Sequence, residues 1–396
     1  MHKLRHSMIA PRHSAGLPDT VWPYRTHGVR AAALILAYFA TFPISYVSGA
    51  LAADAKEQTA VRAGDSGTSV SVPYVTNRRL GARRLEQTAY GGERGPPSFG
   101  RCEVVFTPIP VINHVAPRVP FYVADATRAV RIESQTDASA FWVEVQDEIA
   151  RTRSGSVVVF VHGYNYGFKQ HCKAAAELQR ALSGKAVVLM FSWPSNGRPA
   201  DYIPDQADVE WSVPLLARLL ADLADRLGPE RVQVLAHSLG SRGVIFALER
   251  LRTEQGPRPL IGQLVLMAPD FDAQTFVERL PALAPLTARI TLYASSNDRP
   301  LKASRQLHAS PRLGEAGVFL TVAEGMQTVD VSPVGRYQVS GHSYFRFHPK
   351  AVADLAALLG EGQSAPERAG LRPVPLNGLV YWELVGTRAR NDPRHE

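Results

Sequence analysis

Apolar positions in the middle of this chain fall into short unbroken runs, separated by stretches with helical spacing. SVVVFVHG (156–163), KAVVLMFSWP (185–194), VQVLAHS (232–238), GQLVLMAPD (262–270) and TARITLYASSND (287–298) lack the polar alternation of a half-exposed strand. Between them, GFKQHCKAAAELQRAL (167–182), DQADVEWSVPLLARLLADLADRLG (205–228) and SRGVIFALERLRTE (241–254) bring apolar residues back every three or four positions, which predicts helices. Pro214 within 205–228 marks a kink or a helix start. Strands apolar on both faces must be covered on both faces, so the alternation predicts an α/β fold, a mostly parallel sheet with helices on either side. Residues 138–152 read as one more helix, 316–331 as β-rich, and 349–359 as a terminal helix.

The flanks read differently. From 73 to 120, Gly-Gly and Pro-Pro pairs interrupt short apolar runs such as CEVVFTPI, which predicts irregular structure with one or two antiparallel edge strands. Residues 53–72 are small and polar and suit a linker, which puts the folded domain at 73–360. Residues 361–396 are rich in Pro, Arg and Gly and suit a tail, although LNGLVYWELV (376–385) has the composition to pack as a strand.

Charge adds one feature. Lys3, Arg5, Arg12, Arg25 and Arg30, against Asp19, carry half of the net +8. An apolar stretch follows (31–53) and closes on the small residues Ala50 and Ala52. That order predicts a secretory signal within 1–52, cut after Ala52, and export to the periplasm or cell envelope. The alternative is an inner-membrane anchor, giving membrane association through the N-terminus. Pro43, Ser45 and Ser48 shorten the apolar run below a comfortable span. The remaining charge is spread thinly, with no basic stripe interleaved with aromatics, so a nucleic-acid partner is disfavoured. Cys102 and Cys172 stand outside any metal-ligand spacing; export would permit a disulfide between them.

The chemistry concentrates at 232–248. Ser238 stands between a buried strand and a helix, with Ala236 and Gly240 two positions to either side, the layout of a nucleophile elbow. A serine there must sit on a sharp turn with small neighbours, and the helix dipole that follows favours a developing oxyanion. The plainer alternative is a helix-capping serine. A serine nucleophile needs a base, and the base needs an orienting acid, in the chain order Ser, Asp, His for this architecture. Asp298 fits the acid position best, with Asp270 as the alternative and Asp272 on the same loop; each could instead be a helix or turn cap. Among the later histidines (His308, His342, His348, His395), His342 lies in a glycine-flanked loop suited to reach over the sheet, and it is the expected base. His237 points away from its neighbour Ser238 and reads as structural. The oxyanion donors are expected to be the N–H groups of Leu239 and Tyr164. Trp193 and Tyr166 are candidates to line a substrate pocket, equally well explained as packing aromatics.

Together HGYNYGF, FSWPSNG, WSVPLLARLL, LAHSLGSR, APDFDAQTF, LYASSNDRPLKAS and GHSYF resemble a bacterial α/β-hydrolase family of the esterase/lipase type, catalogued as domain of unknown function 900. The resemblance spans roughly 70–360, with VPYVTNRR and ERGPPSFGRCEV matching its upstream part. It implies the α/β-hydrolase fold and a triad carried by Ser238, Asp298 and His342. Leu239 stands where many relatives have methionine, a change without consequence for a backbone donor. The expected activity is hydrolysis of a small-molecule or lipid-like carboxylic ester through an acyl-enzyme, requiring neither metal nor organic cofactor. The rival readings are a thioesterase or transacylase on the same triad, and a non-catalytic envelope protein that uses the fold for binding.

Overall fold

The computed structural model describes residues 68–81, 90–108, 125–135, 137–335 and 340–385. The signal or anchor segment expected at 1–52 lies outside the described residues, as does His395. Among the described residues, no helix is long and apolar enough to cross a membrane.

The alternating runs become the expected sandwich. Strands β4 (Ser156–Val161), β5 (Ala186–Ser192), β6 (Val232–His237), β7 (Ile261–Met267), β8 (Thr287–Ala294) and β9 (Gln327–Asp330) pair in parallel, in the order β5-β4-β6-β7-β8-β9. Successive side chains of each strand feed opposite layers. Val157, Val159 and Val161 enter one core with Val234 and Leu264, while Val158 and Phe160 enter the other with Leu235 and Val265. This period of two is why none of these strands shows a polar face.

The first core is closed by α1 (Ala138–Arg151), α4 (Val213–Leu227), α5 (Gly240–Gln255) and α6 (Ala273–Leu283). The second is closed by α2 (Phe168–Leu182) and α9 (Pro349–Glu361). Residues 202–227 form two helices, α3 (Tyr202–Trp211) and α4, with Pro214 in the first turn of α4. Proline is tolerated there because the first-turn N–H groups have no helical partner. A further helix, α7 (Arg299–His308), follows β8, and the short α8 (Tyr344–Phe347) precedes α9.

The flanks depart from expectation. Residues 73–120 are not mainly irregular. β1 (Thr68–Leu80), β2 (Tyr90–Pro108) and β3 (Asp125–Gln135) form an antiparallel meander, and β1 runs parallel to β5 in the same sheet. The boundary drawn at residue 72 therefore falls inside β1, and 68–72 are sheet rather than linker. At the other edge, β10 (Leu371–Leu376) and β11 (Leu379–Leu384) form a hairpin, with β11 alongside β9. Much of the expected tail is thus folded. Of the β-rich stretch 316–331, only β9 is strand. Cys102 and Cys172 are both buried and free.

This is the α/β-hydrolase arrangement, extended at both edges. A buried triad secures the C-terminal extension. Arg368 Nη1 donates to Asp354 Oδ2 and to Tyr293 Oη, both at 2.7 Å, and Tyr293 Oη donates to the same carboxylate. The Arg368 and Asp354 side chains are almost fully buried. Removing one partner strands the other charge in a low-dielectric interior. Asp354→Ala is therefore expected to lower unfolding free energy by about 3–5 kcal/mol, measured by urea denaturation; a loss under about 1 kcal/mol would show the pair to be dispensable.

Candidate active site

The carboxyl ends of parallel strands collect the loops that ligands meet. Here the ends of β4, β6, β7 and β8 converge on a cavity of about 380 Å³ lined by Ser238, His342, Tyr164, Tyr166 and Asp270, among others.

Ser238 ends β6 with φ at +52°, a left-handed conformation that a non-glycine residue adopts only where its surroundings compel it. Its N–H donates to Met267 O (3.0 Å) and its carbonyl accepts from Asp270 N (3.1 Å), which ties the turn to the end of β7. The space around it explains the small neighbours. A Cβ on Gly163 would stand 2.7 Å from the Ser238 Cβ, and one on Gly240 would stand 2.3 Å from His162 O. α5 begins at Gly240, directly after the turn, and Leu239 N–H has no acceptor among the described residues. It is available to an anionic atom at the helix N-terminus.

Asp298 and His342 meet as expected. His342 Nδ1 lies 2.6 Å from Asp298 Oδ2, and Asp298 is fully buried. Asp298 is also the N-cap of α7, its Oδ1 accepting from Leu301 N at 3.0 Å. The cap and the acid are one residue: each oxygen has its own donor. The bond to Asp298 places the His342 proton on Nδ1 and leaves Nε2 as an acceptor on the cavity side. Burial alone would push the His342 pKa down; the Asp298 charge and hydrogen bond outweigh it, with a smaller contribution from Asp270, and the net shift is upward. Burial likewise lifts Asp298, against the lowering pull of His342. Among the described residues, no hydrogen bond joins Ser238 Oγ to His342; the two share the cavity wall. Such contacts often tighten only when substrate is bound.

The alternative acid has other partners. Asp270 Oδ1 accepts from Ser304 Oγ (2.6 Å) and Arg312 Nε (2.9 Å), and Oδ2 accepts from Tyr202 Oη (2.6 Å). Burial would raise its pKa, but Arg312 and these hydrogen bonds hold it below the usual carboxylate range. It is a neutralised anchor in the cavity wall and makes no bond to His342. Asp272 caps α6 through Thr275 N. His308 ends α7, within reach of Gln206 and Ser304, and His348 caps α9.

His237 is buried and packs against His342 and Phe345, with ring centroids 4.7 and 4.8 Å away. Burial holds its pKa well below the ordinary imidazole value, so it stays neutral beside the expected base.

Tyr166 lines the cavity and accepts from Arg346 Nη1 at 3.3 Å. Trp193 does not line it. Its ring is fully buried, stacked 4.6 Å from His162, and Nε1 donates to His162 O at 2.8 Å. Of its two readings, pocket wall and packing aromatic, the second holds: the indole turns inward because that carbonyl and imidazole face offer both partners it needs.

Sequence reasoning missed Arg78, Tyr202 and Arg312. Arg78, on β1, is 1% exposed and reaches the loops that leave β4 and β5. Nothing in VTNRR distinguishes it from its exposed neighbour Arg79. Tyr202 and Arg312 lie outside the motifs, and their link to Asp270 exists only in three dimensions. Among the described residues, no cluster of His, Cys, Asp and Glu could hold a metal ion.

The family model described as alpha/beta hydrolase of unknown function (DUF900) matches residues 137–361. A 61-residue stretch is 41% identical to the uncharacterized protein alr1448 of Nostoc sp., covering 15% of this chain and 16% of that protein. The chain thus spans about a sixth of the curated relative it matches. Among solved structures, it is similar to EstE5 soaked with p-nitrophenyl butyrate, at 14% identity and a TM-score of 0.36 over 85% of this chain and 98% of that one. It is also similar to EstE1, a thermophilic carboxylesterase cloned from a metagenomic library, at 14% identity and 0.34 over 77% and 92%. The lin2722 product of Listeria innocua matches at 13% identity and 0.34 over 54% and 96%.

The upward shift of His342 has a direct check. Its imidazole is expected to titrate above the ordinary value of about 6.5 in a histidine NMR titration, and Asp298→Asn is expected to bring it down. A group raised on folding stabilises the fold fully below its unfolded pKa, and that contribution fades as pH rises through the folded value. A His342 midpoint below that of a free imidazole would contradict the pairing.

Proposed function

Because this chain belongs to the alpha/beta hydrolase family of unknown function, we propose that it is a serine hydrolase that cleaves carboxylic esters. The observation that carries the reading is the Asp298–His342 pair, 2.6 Å apart, opening onto the same cavity as a serine held at positive φ. His342 Nε2 takes the Ser238 proton as Oγ attacks the ester carbonyl. The N–H groups of Leu239 and Tyr164 receive the oxyanion, a role worth a few kcal/mol per donor, on the order of 3. The alcohol leaves with the proton from imidazolium. Water, deprotonated by the same ring, then attacks the acyl-enzyme, releasing the acid and restoring Ser238.

The cavity suits an ester. Its volume falls in the range of small-molecule sites, and Leu301, Leu307, Ala303 and Pro300 offer an apolar wall to an acyl chain. Among the described residues Asp270 is the one carboxylate on the wall, and Arg312 pairs with it. The binding-only alternative gives no reason for a buried acid to be spent on orienting a cavity-facing imidazole.

Ser238→Ala is expected to reduce turnover of a short p-nitrophenyl ester on the order of 10⁴-fold or more and to abolish labelling by a fluorophosphonate probe, with the circular dichroism spectrum unchanged. Labelling and turnover at wild-type levels in that variant would refute the assignment. Because the base must be neutral and its pKa is raised, kcat/KM is expected to fall as pH drops through a midpoint above about 6.5. A profile flat down to pH 4 would exclude His342 as the base.

A further inference from the structure

Arg78 is fully buried, belongs to a strand outside the family match, and forms no ion pair among the described residues. Its guanidinium is satisfied by neutral acceptors instead. Nη1 donates to Gly91 O (3.0 Å) and Ser195 O (2.7 Å), Nε to Ser192 Oγ (2.9 Å), and Nη2 to Tyr166 O (2.8 Å) and His162 Nε2 (3.2 Å). Burying a guanidinium is costly even with the Asp205 carboxylate acting on it through space, and a well-packed apolar side chain would serve mere stability as well. Its acceptors are therefore informative. They lie on β2, on the loop after β4 that closes on Ser238 (162–167), and on the end of β5 with its following loop (192–197).

The contact with His162 fixes a proton. Arginine only donates, so His162 Nε2 must accept and the ring hydrogen must sit on Nδ1. Nδ1 lies 2.7 Å from Gly163 O, so it donates there. That carbonyl belongs to the peptide unit whose other end is Tyr164 N–H. A peptide unit is planar and trans, so fixing the direction of its carbonyl fixes the opposite direction of its N–H. Without Arg78, His162 has a competing choice: Nε2 also lies 3.1 Å from Trp193 O, an acceptor for the other tautomer. From the far side, Asp205 accepts from Asn165 N (3.3 Å), Asn196 N (3.2 Å) and Ser195 Oγ (2.6 Å). The two loops are thus held between a cation that takes carbonyls and an anion that takes N–H groups.

We propose that Arg78 is a positioning residue which, by selecting the Nδ1–H tautomer of His162, locks the Gly163–Tyr164 peptide with its N–H aimed at the oxyanion. The catalytic part of this proposal rests on the serine-hydrolase reading above; the tautomer does not. In the full chain, nitrogen-15 NMR of the wild-type imidazole is expected to show His162 protonated at Nδ1. In Arg78→Met the proton moves to Nε2, towards Trp193 O. In the same variant kcat for a p-nitrophenyl ester falls at least tenfold, KM stays within about twofold, and inhibition by a boronic acid, whose adduct carries the tetrahedral oxygen, weakens in parallel. Arg78→Lys, which keeps the charge but not the planar fork, is expected to show the same split and serves if the Met variant does not fold. Combining Arg78→Met with His162→Gln adds little to the loss of kcat from either change alone. An Nε2–H tautomer in the wild type overturns the proposal whether or not any variant folds. So does a folded Arg78 variant with kcat within twofold of wild type, or one whose loss lies in KM with boronate inhibition intact. If the wild type turns over no ester and takes no fluorophosphonate, the hydrolase reading fails while the tautomer measurement still decides the role of Arg78.

Discussion

A serine held at φ +52° at the end of a buried strand is the constraint on which the rest of the site depends. The backbone does not choose that conformation; its surroundings impose it. Met267 O and Asp270 N clamp the turn from the β7 side. Gly240 lets α5 start against the carbonyl of His162, and Gly163 lets the loop after β4 close on the serine Cβ. A side chain at either glycine would meet backbone or Ser238 itself. The two glycines therefore answer to one packing problem, in which a strand end, a helix start and a loop pass within van der Waals contact. The place of Ser238 on the cavity wall and the open helix N-terminus both follow from its solution.

The same crowding sorts two carboxylates that look equivalent in the sequence. Asp270 and Asp298 both leave the carboxyl end of a parallel strand, and both reach the neighbourhood of Ser238. Asp270 meets a guanidinium and two hydroxyls, which satisfy its oxygens and cancel its charge. Asp298 meets a helix N–H with one oxygen and an imidazole with the other. Only the second arrangement puts an imidazole partner on the cavity wall. The distinction lies in Arg312, Ser304 and Tyr202, which come from α3, α7 and the loop after α7.

Much of the central fold was legible because local signals and burial agree there. Runs such as VVVFV and LVLM can only be strands covered on both faces, and the stretches between them have one clear apolar stripe. The meander β1–β3 was not legible, because Gly91, Gly92, Pro96 and Pro97 read as breakers. Yet β2 carries all four within a strand of the outer part of the sheet. There, proline and glycine are compatible with pairing at irregular register, and the register of β1 against β2 does shift between Thr76 and Leu80. The pairing of Asp298 with His342, and the shared cavity of His342 and Ser238, were legible through motifs and chain order. Trp193 stayed open between pocket wall and packing aromatic because an aromatic at a strand end gives no sign of which way it turns. Arg78 was invisible for a related reason: beside Arg79, on a strand thought irregular, it looks like solvent-facing charge.

The buried arginine changes how the outer strands relate to the site. The family match begins at residue 137, after the meander, which could suggest that β1–β3 merely extend the sheet. But β1 lies alongside β5, in register with Met190, Phe191 and Ser192, so its end arrives beside the loop that leaves β5. A side chain two positions beyond Thr76 then points into the gap between the loops after β4 and β5. An apolar residue there would fill the gap without directing either loop, since carbonyls cannot be aimed by dispersion. A guanidinium directs them, because its planar fork meets several acceptors at fixed angles. Burial lowers the Arg78 pKa to about 9, still above neutrality, so the cation persists. β1, beside a strand whose glycines and prolines read as irregular, thus supplies the group that orients the backbone next to Ser238.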